Sequence, residues 1–209
     1  MTNDVNYKWH CITERAPFAP RDGAGALVYD GRMWLLGGWN PGDETHFPRI
    51  CNNEVWSSQD GQDWMLIKPN TFLDKHFDSS ADWEGRHTAG YAVHNGRMWI
   101  IGGDVNQGHY HTDVWHSTDG ICWTQANPSA PVPWGPRALH YTVVMHGKIW
   151  IMGGQTVPQL AAEEERRYSD LWNSEDGLRW DRVLRREPAW APRGMIGGSA
   201  VFKDRIWIL

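Results

Sequence analysis

The chain has 209 residues, 41% of them hydrophobic, enough to bury a real core, and carries a net charge of -5. With no basic excess to neutralise phosphates, the composition argues against nucleic acid as a partner. No apolar run approaches membrane-spanning length, and the opening MTNDVNYKWHC lacks the charged and apolar regions of an export signal, so the chain as given predicts a soluble, cytoplasmic protein with no membrane partner. Three cysteines, Cys11, Cys51 and Cys122, are an odd number without C-x-x-C spacing; they argue against a disulfide framework or a zinc knuckle and predict buried free thiols.

Residues 1–20 come first, with Trp9 and the loop PFAPR, and read as an orphan outer strand and linker, because Trp9 precedes Arg21 by nearly the distance at which Trp180 precedes Arg193. A first unit spans 21–68. Its hairpin VYDGRMW places Asp-Gly between apolar runs, which suits a type I′ turn because both central residues need φ > 0. The strand MWLLGG is apolar on both faces, as a strand covered from both sides should be. A third strand, EVWSS, and a fourth, DWMLI, follow around an Asp-Gly turn. The second unit, 86–126, repeats these elements as VHNGRMWIIGG and TDVWHSTDGICW. The third, 137–185, repeats them as VMHGKIWIMGG and YSDLWNSEDGLRW, and 193–209 begins a fourth.

Gly37-Gly38, Gly102-Gly103 and Gly153-Gly154 each follow by sixteen residues an arginine, Arg21, Arg86 and Arg137, and Arg193 opens the next copy. The fifteen tryptophans fall in the same register. Trp34, Trp99, Trp150 and Trp207 share one position, Trp56, Trp115 and Trp172 a second, and Trp9, Trp64, Trp123 and Trp180 a third. Trp83, Trp134 and Trp190 share a fourth, where the first copy has Phe18. Trp39 alone stands outside the repeat. Four short antiparallel strands repeated at this spacing predict an all-β protein of radially stacked blades.

The arginine, the Gly-Gly after the second strand, and the Asp-x-Trp with a later tryptophan resemble the kelch repeat, in the S-x-D-G-x-x-W form seen in bacterial members of the kelch and galactose-oxidase-like superfamily. The resemblance implies a kelch-type β-propeller, three blades and part of a fourth, within a larger ring of six or seven blades whose last blade the N-terminal strand would complete. A four-bladed ring would need only a third strand more, and two chains could share a ring; open blade edges would then invite self-association. One fold hosts unrelated activities, so the resemblance bears on architecture rather than on function.

In such propellers the loop between blades and the loop after the glycine pair open on one face, the usual binding surface. Arg21, Arg86, Arg137 and Arg193 would line it as an anion or carboxylate site, although a residue present in every blade more often ties carbonyls or acidic side chains between blades. Phe18, Trp83, Trp134 and Trp190 could stack on sugars or wedge between blades. Trp39 is the better ligand candidate because it breaks the pattern, standing where the other copies have Asp104 and Gln155, with Asn40, Asp43 and His46 beside it. His109-x-His111 would place two imidazoles on one face of an extended loop; no third metal ligand is evident, with His46 and His87 the nearest by loop proximity, and neither a metal nor another cofactor is expected. His140 reads as structural. Glu54, Asp113 and Asp170, two before the third-strand tryptophan, read as framework meeting loop backbone or an inter-blade arginine, and Asp60, Asp119 and Asp176 as turn residues. The insertion PNTFLDKHFDSSADWEG and the stretch LAAEEERR, expected as a short helical turn, are the long loops where specificity would reside. The expected function is a binding module for a protein or saccharide; the alternative is a sugar-acting enzyme of the galactose-oxidase-like or sialic-acid-processing kind.

Overall fold

The computed structural model describes residues 7–47, 50–105, 109–156, 164–183, 190–194 and 197–209. Strands β1 (Gly25–Tyr29), β2 (Arg32–Leu36), β3 (Val55–Ser58) and β4 (Trp64–Lys68) form one antiparallel sheet in that order. β5 (Gly90–His94), β6 (Arg97–Ile101), β7 (Val114–Ser117) and β8 (Thr124–Gln125) form a second. The third begins with β9 (Tyr141–Met145) and β10 (Lys148–Met152), passes through a two-stranded ribbon, β11 (Gln155–Thr156) with β12 (Arg166–Arg167), and ends with β13 (Leu171–Ser174) and β14 (Asp181–Arg182). β15 (Ser199–Phe202) and β16 (Arg205–Ile208) pair as the start of a fourth.

The first hairpin of each sheet turns as its sequence demands. Asp30–Gly31, Asn95–Gly96 and His146–Gly147 all hold two consecutive positive φ angles, and Lys203–Asp204 does so without glycine. The indole of each second-strand tryptophan, Trp34, Trp99, Trp150 and Trp207, donates to the carbonyl five residues earlier, closing the hairpin from the side. Each first strand lies beside the next, β1 against β5, β5 against β9 and β9 against β15, so the sheets succeed one another like blades. The core is built at the seams between them. Trp34, Leu36, Val55, Met98 and Ile100 close one seam; Trp99, Ile101, Val114, Ile149 and Ile151 close the next; Tyr141, Val143 and Met152 meet Ile206 and Ile208 at the third. This explains why second strands are apolar on both faces.

The turn between third and fourth strands is a hydrogen-bonded cassette. In the first sheet Asp60 Oδ1 accepts from the amides of Gln62 and Asp63, and Ser58 Oγ from that of Gly61; Asp119 and Asp176 repeat the pattern. Gly177 in the third cassette has φ 73, and a Cβ there would stand 2.2 Å from Trp99 of the neighbouring sheet. Gly147 has a similar φ, 67, with nothing within 4 Å. Gly147→Ala should therefore cost about 1 kcal/mol for backbone strain, whereas Gly177→Ala should cost roughly 2–4 kcal/mol by adding overpacking against the indole. Urea denaturation of the two variants measures the difference, and equal losses would mean that the seam is looser than drawn.

Residues 7–20 pair with none of the described sheets, and Trp9 is 95% exposed. Two expectations need correction. Of the cysteines only Cys51 is buried; Cys11 and Cys122 are exposed, Cys122 because it sits in the solvent-facing turn cassette. In LAAEEERR, residues 160–163 lie outside the described residues, and Arg166–Arg167 is a strand rather than a helical turn because Thr156 and Gln155 offer it a paired edge. Residues 1–6 and the end of the 137–185 unit, 184–185, also lie outside them.

Candidate functional site

The loop-bearing face is organised by the repeated arginines. Arg86, fully buried, donates from Nε to the Glu84 carbonyl, from Nη1 to the Gly102 carbonyl and through both Nη atoms to Asp113, at 2.5 and 3.1 Å. Asp113 also accepts from the Trp115 indole at 2.7 Å. Arg21 repeats this with Gly37, Glu54 and Asn52, and Arg137 with Gly153 and Asp170; Glu54 and Asp170 accept from Trp56 and Trp172. These forks are spent on their own sheets, which overturns the anion-site expectation for Arg21, Arg86 and Arg137. It also relocates the inter-blade tie, because what crosses each seam is the arginine's backbone. The Arg86, Arg137 and Arg193 carbonyls accept from Gly38, Gly103 and Gly154 of the preceding sheet. Arg193 is itself exposed. Phe18, Trp83 and Trp134 meet the fourth-strand rings Trp64, Trp123 and Trp180 edge-on, and Trp83 and Trp134 are buried wedges without a face for a sugar.

Trp39, Asp104 and Gln155 occupy one register position, each bridged to the residue after the repeated arginine, Asp22, His87 and Ala138. On identical backbone the rim thus presents an indole, a carboxylate and an amide. The half-buried Trp39 indole tilts over His87 of the next blade, centroids 5.9 Å apart, so it caps the seam. Its loop is shaped by Asn40, whose Oδ1 accepts from the Gly42 amide, and by His46, whose ring pairs with Asp43 at 2.7 Å and holds that carboxyl below its usual range. Gln155 abuts Gly194.

Behind Trp39, Cys51, His87 and Asp104 come together. Asp104 lies 2.5 Å from His87 Nδ1 and the Cys51 sulfur 3.7 Å from the same nitrogen. A nucleophile relay needs thiol and carboxylate on opposite ring nitrogens. Here both compete for one, and burial, reinforced by the Asp104 charge, pushes the thiol pKa up. Burial works against a charged His87, but the Asp104 hydrogen bond and charge outweigh it and raise its pKa.

The insertion after β4 is pinned by a buried polar knot with no periodic signal in the sequence. Lys68 Nζ lies 2.7 Å from Asp82, and Asn53 Nδ2 donates to Thr71 Oγ1, Asp82 and the Trp83 carbonyl. The knot delivers Glu84 to the loop after β6. There Glu84 Oε2 lies 3.3 Å from His109 Nε2 and 3.6 Å from His111 Nε2, which makes Glu84, not His46 or His87, the third group beside the histidine pair. Burial, with the Arg86 charge, pushes His111 down to about 3, so it is neutral. The Glu84 hydrogen bond raises exposed His109.

Successive four-stranded antiparallel sheets, inner strand beside inner strand and tied at a glycine-pair rim, are the blades of a β-propeller fold. Among solved structures the chain is similar to YjhT, with a TM-score of 0.65 and 17% identity, over 91% of this chain and 59% of that one. The chain thus spans about three fifths of the YjhT chain, and at this identity the likeness establishes fold alone. No family model matches the chain. No curated protein matches it.

Proposed function

We propose that the chain is a binding module of propeller type that takes a protein or saccharide on its loop-bearing face. The rim carries this reading: the repeated arginines, carboxylates and tryptophans are consumed by the framework, while Trp39, Asp104 and Gln155 vary in chemistry on a constant backbone bridge. The Cys51, His87 and Asp104 group, with thiol and carboxylate on one ring nitrogen, argues against a thiol nucleophile at this rim.

Labelled protein applied to a glycan array and a protein array tests it. Trp39→Ala should weaken the retained ligand at least tenfold. Because Trp39 packs on His87, Tm should also fall by a few degrees, so binding is compared well below the transition. Leu178→Ala is the control, since Leu178 is exposed on the turn between third and fourth strands, at the opposite end of the sheets. Equal losses in both variants would place the ligand elsewhere.

A further inference from the structure

We infer that Glu84, His109 and His111 form a binding site for a divalent transition cation of the zinc class, with one coordination position open on the loop-bearing face. Three donors from two loops converge, Glu84 from the segment before β5 and both histidines from the segment after β6, and their ligand atoms all lie within 4.8 Å of one another. Metal–ligand bonds of about 2.0–2.2 Å set tetrahedral ligand atoms roughly 3.3–3.6 Å apart. The carboxylate lies 3.3 and 3.6 Å from the two imidazole nitrogens, longer than a good charge-assisted hydrogen bond and right for two edges of such a tetrahedron. The two rings are perpendicular, at 86° with centroids 4.9 Å apart, and so do not stack face to face.

A second observation is independent of that spacing. His111 is 94% buried, at 6% exposure, and its Nε2, on the side of Glu84, has no hydrogen-bond partner. Buried imidazole nitrogens ordinarily find one. The opposite nitrogen, Nδ1, lies 3.9 Å from the Asp113 carboxylate, which Arg86 and Trp115 fix in place. That separation is too long for a hydrogen bond, but the negative charge favours the proton on the Nδ1 side and leaves Nε2 as the ligand atom.

The internal repeat supplies a third. Framework residues recur in every copy, and these do not. Where the second copy has Glu84 the others have Ala19 and Gly135, and where it has His111 they have Asn52 and Tyr168. Asn52 accepts from Arg21 and Tyr168 lies under the Arg137 guanidinium at 3.7 Å, each serving its own arginine. His111 keeps the shared backbone bond to its glycine pair, N–H to Gly103 carbonyl, and turns its ring to Glu84 instead. His109 is 64% exposed, and a cavity of about 230 Å3 lined by Ser79, Glu84, Thr112 and Asp113 adjoins the triad, so a fourth, oxygen ligand can enter.

The test is titration of the tag-free, chelator-stripped full chain with Zn2+ by calorimetry, with Co2+ absorption as a readout of geometry. One equivalent of Zn2+ should bind with a Kd in the micromolar range or tighter, and Co2+ should give intense tetrahedral bands between about 500 and 650 nm. His109→Ala, at an exposed position that leaves the fold intact, and Glu84→Gln should each weaken Zn2+ at least tenfold and abolish the bands. His46→Ala, which removes another exposed histidine paired with an acid, should change neither. Failure of the wild-type chain to bind, or stoichiometric binding that survives both His109→Ala and Glu84→Gln, would overturn the assignment.

Discussion

Arg86→Leu should lower the stability of the protein by about 3–5 kcal/mol, a large part of the roughly 5–15 kcal/mol that a domain possesses. The dominant cause is the unpaired charge that stays in the interior, more than the guanidinium's own hydrogen bonds. Burial alone would raise the Asp113 carboxyl, and the adjacent guanidinium more than reverses this, holding it well below the ordinary carboxylate range. Without Arg86 that carboxylate remains beside the Trp115 indole and the Gly102 carbonyl loses its donor. Arg86→Lys keeps a positive charge without the planar fork, and should recover part of the loss. The leucine substitution at Arg193, which is exposed, should stay within about 0.5 kcal/mol. Urea midpoints of the three variants decide the matter: a loss at Arg86 no greater than at Arg193 would show that the ion pair does not hold the blade.

Acidification below neutrality should destabilise the fold before any carboxylate titrates. Burial, with the charge of Arg137, pushes His140 down to about 3, and His111 is likewise pushed down to about 3. Below the unfolded histidine value of about 6.5 the unfolded chain binds protons that the folded chain refuses, so stability is lost as pH falls from 6.5 towards 3. By pH 5 each such histidine should contribute a loss of about 2 kcal/mol. His87 and His109, whose values are raised, act in the opposite sense and lose their contribution as pH rises. His140→Leu isolates one term. The stability of that variant should fall less steeply between pH 6.5 and 5, by nearly one proton or about 1.4 kcal/mol per pH unit. Parallel curves for the two proteins would mean that His140 takes up a proton in place.

The propeller architecture was legible because the chain states it several times. Equal positions in successive copies make equal contacts, so the tryptophan columns and the turn cassettes could be assigned from the repeat alone. The direction of the arginine contacts was not legible, since a side chain bonded within its blade and one bonded across a seam leave the same spacing in sequence. Lys68 and Asn53 were missed for another reason: they serve an insertion present once, and a buried polar knot has no period to betray it. Glu84 could have been found. The reasoning that singled out Trp39 as a break in the repeat applies equally to Glu84 between Ala19 and Gly135, but proximity to His109 and His111 depends on how two loops of unequal length fold over one seam.

Arg86 and Arg137 each belong to two blades at once, the guanidinium pinned in its own sheet and the carbonyl receiving the glycine amide of the sheet before. A glycine pair is therefore left one hydrogen bond short until the following repeat exists. A cut between two repeats would strip the preceding glycine pair of that acceptor, so the rim of one blade is finished by the backbone of the next.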